Sequence, residues 1–443
     1  MWKSSGRSHR IRKSDREIPA RRILNMIRNG DPVRCDHKII LGNLDIGKLD
    51  LPVEDGKTLI TSIIEIKDSQ IYGDINFANA LFKNDFKTSV DFTKTIFHGR
   101  VNFHCTSFCD GADFIDVEFH NKANFEDSKF YSAVFTEAKF YEYADFSKAK
   151  FYEIAIFDGI QFHNYANFVK ACFKIVASFR WAFFGDYANF GSARFEKKAN
   201  FDRTRFRDDV DFRKTVFDAD LSLNESNFER FHTRWDIIKD HLNYDGAVYL
   251  SLIKNFKDLE FFEDADNCYY QYRCLAQNDK KWYPSTNKYI DLIIKICNEI
   301  ESYLKIINQD FIFLCTTYPP FTWIYRFNWS KLSDQISRIS CGYGVKLLPI
   351  ILWLIGLSLI FAIFYYLFSG VIIVGPENAA KTSNPTNLSI FESFYFSLMN
   401  MIGKPPTGFN LIGGWKYITM IESLLGYFLL ALFVVVIVKK LIR

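Results

Sequence analysis

The run Met401-Ile402-Gly403-Lys404-Pro405-Pro406 lies between two long apolar segments near the end of the chain. At membrane depth such residues would do the chemistry of ion passage. Successive backbone carbonyls replace a cation's water, and rings of charged side chains set the sign of what passes. Met401, Ile402 and Gly403 stand where the first carbonyls of such a row would be. Pro405 and Pro406 then break the row, because proline fixes φ and has no N–H to brace a filter strand. Lys404, repeated around an axis, would make a cationic ring that favours anions or blocks cations. Pointed outward, or paired with Glu422, it would make no ring. Glu422 is the only charge in the second apolar segment. A carboxylate there marks either a structural pair behind the loop or the outer mouth of a path. Gly426, in SLLGYFLL, is either a gating hinge or a point of close helix packing. A Gly-Tyr-Gly triplet also occurs at Gly342 to Gly344, but it precedes the first apolar segment and no pore helix leads into it.

Other chemistry is thinly represented. Cys105 and Cys109 lie near His98 and His104, but their spacing fits no zinc pattern, so no metal site is expected. Nine cysteines at irregular spacing, behind a polar and basic start, point to reduced thiols facing a cytosol. No nucleophile, base and orienting residue recur at fixed offsets, so neither an enzyme nor a cofactor is expected.

The elements that must position the loop are two membrane spans. Residues 347–368 are 22 positions without a charge, which as a helix cross about 33 Å. Pro349 sits at the entrance, where its missing N–H matters little. Residues 418–438 form the second span. Between them IFESFYFSLMNMIG has an amphipathic helical pattern too short to cross, within a loop of 389–409. A half-membrane helix followed by irregular backbone is tolerated only where protein or a water-filled cavity surrounds it. Lys331, Arg338 and Lys346 precede the first span, and Lys439, Lys440 and Arg443 follow the second. Both chain ends are therefore expected in the cytoplasm.

Upstream the chain is dominated by phenylalanine, 46 residues against 23 Tyr and 8 Trp. From Phe92 to Phe217 the rings recur in steps of five and six. Such steps scatter side chains around a helix, and a five-residue step reverses the face of a strand. Each repeat must therefore turn a corner, winding a coil with Phe inside, a β-solenoid. Small residues two places before most Phe, such as Ala123, Ser128 and Thr204, also point inward and let a narrow interior close. From Phe125 to Phe140 the steps are five, five and five, so the sixth residue elsewhere is a dispensable corner insertion. KIILGNLDIGKLDL reads as atypical first coils, and Phe228 closes the series.

The stretch YANFGSARFEKKANFDRTRF resembles the pentapeptide-repeat family. The resemblance implies a right-handed quadrilateral β-helix over roughly 70–228, with about seven coils and ~33 Å of rod. Some pentapeptide-repeat proteins mimic DNA and bind topoisomerase, a role that requires a strongly acidic rod. From Asp74 to Glu225 there are 23 acidic and 20 basic side chains, so no nucleic-acid role is expected. SFYFSLMNMIG, followed by GGWKYITMIESLLGYFLLALFVVVIVKKL, is similar to the pore helix and inner helix of two-span potassium-channel subunits, which implies a homotetramer around one pore. The whole order resembles prokaryotic pentapeptide-repeat proteins with a C-terminal ion-channel domain.

The reading is thus a multi-domain chain. Residues 1–34 are a basic N-terminal arm, with ten Lys or Arg, suited to anionic lipid, to nucleic acid or simply to solvent. Residues 35–228 are the solenoid. Residues 229–345 form an α-helical connector, with a tetratricopeptide-like hairpin built on Leu252, Phe256 and Leu259, a helix over 289–307 and an interfacial segment over 318–329. Residues 346–443 are a two-span α-helical pore-loop domain in a lipid bilayer. The resemblance implies a tetrameric channel of the cell membrane that passes inorganic ions with weak or anion-favouring selectivity. The competing expectation is a membrane-anchored scaffold whose solenoid binds a cytosolic protein and whose pore-like domain does not conduct.

Overall fold

The computed structural model describes residues 16–83, 88–278, 328–368, 371–373, 388–411 and 413–441. The helix expected over 289–307 and the interfacial residues 318–327 lie outside them. The chain divides into two compact units, Met1–Cys268 and Tyr269–Arg443.

The first unit is the β-solenoid, of about ten turns. One face carries ten strands and a second carries nine, while a branched sheet of sixteen covers the rest. Coils pair in parallel with equivalent residues in register, as in Phe119↔Phe140, Phe140↔Phe162 and Phe162↔Phe184. Each Phe therefore meets its counterpart one coil away nearly face on, and meets the Phe of an adjoining face edge on. Phe146 lies 5.0 Å and 3° from Phe168, but 5.7 Å and 86° from Phe157. Both are favourable ring geometries. The small inward residues are buried as expected, and those with hydroxyls are satisfied by backbone: Thr106 Oγ1 donates to the Phe77 carbonyl at 2.7 Å and Ser128 Oγ to that of Phe103 at 2.8 Å.

Corners recur about every eleven residues with φ near +55°, as at Lys148, Lys170, Trp181, Ser192 and Arg203. They fall in the five-residue steps, two places after a Phe, and the turn closes when the residue after the corner donates back to that Phe, as Ala149 N–H does to Phe146 at 3.1 Å. The sixth residue of the longer steps behaves as an insertion. Phe108 pairs with Phe130 and Gly111 with Ser132, so the extra residue bulges out between two intact pairs.

The solenoid is longer than seven coils, because Val33, Ile40, Leu44, Ile64, Ile71 and Ile75 fill the early interior where Phe is missing. Its start also takes in half of the expected arm. Glu17–Pro19 pairs with Ile39–Leu41, and helix α1 (Ala20–Asn29) buries Ala20, Ile23 and Ile27. At the other end Phe228 is only half buried, and the series closes on Phe231, whose strand pairs Val210 with Phe231. Asn255 seals that end by bonding both the N–H and the carbonyl of Phe231 at 2.9 Å. It stands on α3 (Gly246–Asp258), which Asp245 caps by accepting from the N–H groups of Ala247 and Val248. Trp235 of the short α2 (Trp235–Ile238) packs on Tyr249 and Phe256. Leu252 and Phe256 are buried as the helical spacing predicts, and α4 (Phe262–Asn278) follows after a brief turn.

The second unit begins within α4, at Tyr269. It contains α5 (Trp329–Cys341), α6 (Leu348–Phe368), α7 (Ile390–Met401) and α8 (Trp415–Leu441). Helices α6 and α8 are both long and apolar enough to cross a membrane. Helix α8 runs past the expected 418–438 at both ends. A small antiparallel pair, Val371–Ile373 with Phe409–Leu411, closes the segment between them.

Candidate functional site

Helix α7 is the element on which the candidate residues depend. Ser389 and Glu392 form a capping box that fixes its start. The bond from the Ser389 N–H holds the Glu392 carboxyl below the usual carboxylate range. Its remaining length is pinned between α6 and α8 by one buried side chain. Glu422, fully buried on α8, accepts from Tyr365 Oη of α6 at 2.6 Å, from Asn400 Nδ2 of α7 at 2.7 Å, and from Ser397 Oγ of α7. Asn400 also donates to the Thr419 carbonyl and accepts from Ser423 Oγ at 2.9 Å. A carboxylate among apolar helices is tolerable when donors fill its lone pairs, and here three do.

The C-terminal end of α7 presses on α8 at Gly426. A Cβ added there would lie 2.1 Å from the Met401 carbonyl oxygen, so only glycine admits this approach. Met401 is buried, with its sulfur 3.1 Å from Ser358 Oγ of α6.

Beyond Met401 the chain turns instead of extending. Ile402 keeps helical backbone angles and Gly403 takes φ +81°. The N–H groups of Ile402, Gly403 and Lys404 donate back to Leu398, Asn400 and Met399. Met401 and Ile402 therefore continue a helix and do not form an extended row of carbonyls. Ile402, Lys404 and Pro405 are exposed, and Pro406 is half buried. Lys404 does not pair with Glu422, whose carboxylate is taken by Tyr365, Ser397 and Asn400. Of the two readings of Gly426, close packing is the one that the contact with Met401 realises. Tyr365, Ser397 and Asn400 were not singled out in the sequence, although Ser397 and Asn400 lie three apart on a helix and so share a face.

A second cluster lies at the start of α6 and the end of α8. Arg273 and Gln277 of α4 meet α5 and the turn after it. Arg273 pairs with Asp334 at 2.6 Å and stacks over the Tyr343 ring at 4.9 Å, while Tyr343 Oη donates to Gln277 at 3.1 Å. Burial, with Cys274 and Asp334 nearby, pushes the Tyr343 phenol up. Lys346, at the start of α6, sits 3.7 Å over Tyr270, and Lys439, at the end of α8, lies 5.6 Å from the Tyr269 ring and 3.5 Å from the Gly344 carbonyl. The triplet Gly342 to Gly344 thus serves as a joint: Gly342 ends α5 in the left-handed region.

The solenoid's own geometry, with inward Phe, four-sided coils and parallel register, agrees with the comparison against known families. The family described as pentapeptide repeats (9 copies) matches residues 114–160 and 125–171. The solenoid is built of pentapeptide repeats. No curated protein and no solved structure matches the chain. Among the described residues of the pentapeptide-repeat solenoid, Asp36, His37 and Asp68 bring ligand atoms within 4.8 Å, but all three are exposed. Cys105 lies 3.3 Å from His104 Nε2 and 3.6 Å from Asp127, with burial and that carboxylate raising its thiol pKa, which disfavours a reactive thiolate.

Proposed function

We propose that the chain is one subunit of a tetrameric ion channel of the two-span pore-loop type. In this reading α6 and α8 cross the cell membrane, both chain ends are cytoplasmic, and selectivity is altered from potassium toward weak or anion-favouring conduction. The observation that carries it is the clamping of α7 between two span-length helices through the buried Glu422 and the Met401–Gly426 contact. A membrane anchor needs two apolar helices and has no use for a third, shorter helix held with this much polar bonding in an apolar setting.

The electrostatics follow from the turn at Gly403. The carbonyl end of a helix carries about half a negative elementary charge, which alone would favour a cation in front of it. Lys404 follows directly and more than offsets it, so four copies around an axis would present net positive charge. The joint of Arg273, Tyr343, Lys346 and Lys439 is where movement of the connector would reach both spans.

The test is current. Full-length protein of verified fourfold stoichiometry, placed in planar bilayers, should give discrete conductance steps under voltage, membrane stretch or pH change. Silence under all three would instead support the scaffold, with a partner protein on the solenoid as its function.

A further inference from the structure

On one edge of the solenoid, Gln161, Phe183 and Arg205 occupy the same register on three successive coils. Beside them the corner residues Trp181 and Arg203 stand at left-handed positions one coil apart. The corner one coil earlier is Gly159, which lines the same space. Gln161, Trp181, Phe183, Arg203, Arg205 and Glu225 line the resulting hollow of ≈ 530 Å³. Trp181, Arg203 and Glu225 also line a second hollow of ≈ 250 Å³ on that edge. Trp181 is half exposed, with guanidinium groups of Arg180 and Arg203 at 5.0 and 5.7 Å from its ring.

The charges here are unequal in status. Arg180 is held by Asp158 and Arg203 by Glu225, both through two nitrogens. Arg205 is exposed, and no partner engages its side chain among the described residues. The hollow therefore offers two rings, one amide and one uncommitted guanidinium, at a volume within the range of small-ligand sites.

We propose that this hollow binds a nucleoside monophosphate, its base against Trp181 and Phe183 and its phosphate on Arg205. A flat base is what exposed aromatic rings accept whatever its identity. A guanidinium matches two phosphate oxygens at once, and Gln161 supplies both a donor and an acceptor for a base edge or ribose hydroxyl. A long polyanion is disfavoured, because Glu225 lines the hollow, Asp202 lines the second one, Asp158 holds Arg180 beside it, and the rod is on balance acidic. The site lies on the solenoid and does not depend on conduction.

Equilibrium dialysis of the full-length protein in detergent, with AMP, GMP, CMP and UMP each up to millimolar concentration, tests it. At least one should bind saturably, more tightly than inorganic phosphate or its own nucleoside. Arg205→Gln and Trp181→Gly should each weaken it roughly tenfold or more. Glycine suits the left-handed corner that Trp181 occupies, and if that variant fails to fold, Arg205→Gln decides alone. Absence of saturable binding, affinity unchanged in the variants, or inorganic phosphate binding equally well would overturn the assignment.

Discussion

Glu422 has no water to rely on, and three side chains replace it: Tyr365, Ser397 and Asn400. Leucine at 422 would strand these donors, at about 1–3 kcal/mol for each that stays buried and unpaired. Glu422→Leu should therefore lower the midpoint of thermal unfolding in detergent by several degrees more than Tyr365→Phe, which removes one donor only. Gly426→Ala places a methyl where the Met401 carbonyl already is. Overpacking of this kind costs about 1–3 kcal/mol, and the same melting measurement should show it, whereas Gly356→Ala, with open space around it, should change little. On the solenoid, the His120 hydrogen bond and then Lys139 hold the Glu118 carboxyl below its usual range. A carboxyl lowered in the folded state contributes stability above its ordinary pKa and loses it as pH falls through the lowered value. Wild type should thus melt above Glu118→Gln near about pH 7, and the difference should shrink as pH falls through that lowered value. At this scale the sequence identified Glu422 and Gly426 as singular but left their roles open. Their partners lie on other helices, 57 and 25 positions away in the cases of Tyr365 and Ser397, and no local spacing reveals them.

At the scale of elements, steps of five and six dictate the coil, because they fit neither a helix nor a strand. What they did not reveal was how early the coil starts. In the first turns Ile and Leu take the inward places, so the Phe signal fades while the register continues to Glu17–Pro19. Each coil touches only its neighbours, so damage to the stack should stay local. Phe157 is fully buried and stacks on Phe135 and Phe179 at 5.2 and 4.7 Å. Phe157→Ala removes about 3–5 kcal/mol of packing. Hydrogen exchange should quicken in the coils around 135–179 and stay unchanged near Ile40 and Ile71. The joint between α4, α5 and the long helices was legible only as chain order. Tyr343→Phe deletes its bond to Gln277, and faster exchange across 342–346 is the expected outcome if that bond holds the turn.

The chain carries stacked coils in one unit and two helices long enough to cross a membrane in the other, and the second unit is where sequence reasoning reached least far. Apolar length is written in composition, and so is the shorter helix between the two long ones. The backbone after Met401 is not, because Gly403 can extend or turn and only its packing against Tyr427 and the returns to Leu398, Met399 and Asn400 settle the turn. The proposed selectivity stands or falls on Lys404 offsetting the carbonyl end of α7 at a conducting axis. The decisive measurement is the reversal potential of the full-length protein in planar bilayers under an asymmetric KCl gradient, with Lys404→Glu as the paired variant. The expected result is a wild-type reversal at or on the chloride side of zero that moves toward the potassium potential in the variant. A wild-type reversal at the potassium potential, or one that Lys404→Glu leaves in place, would contradict it.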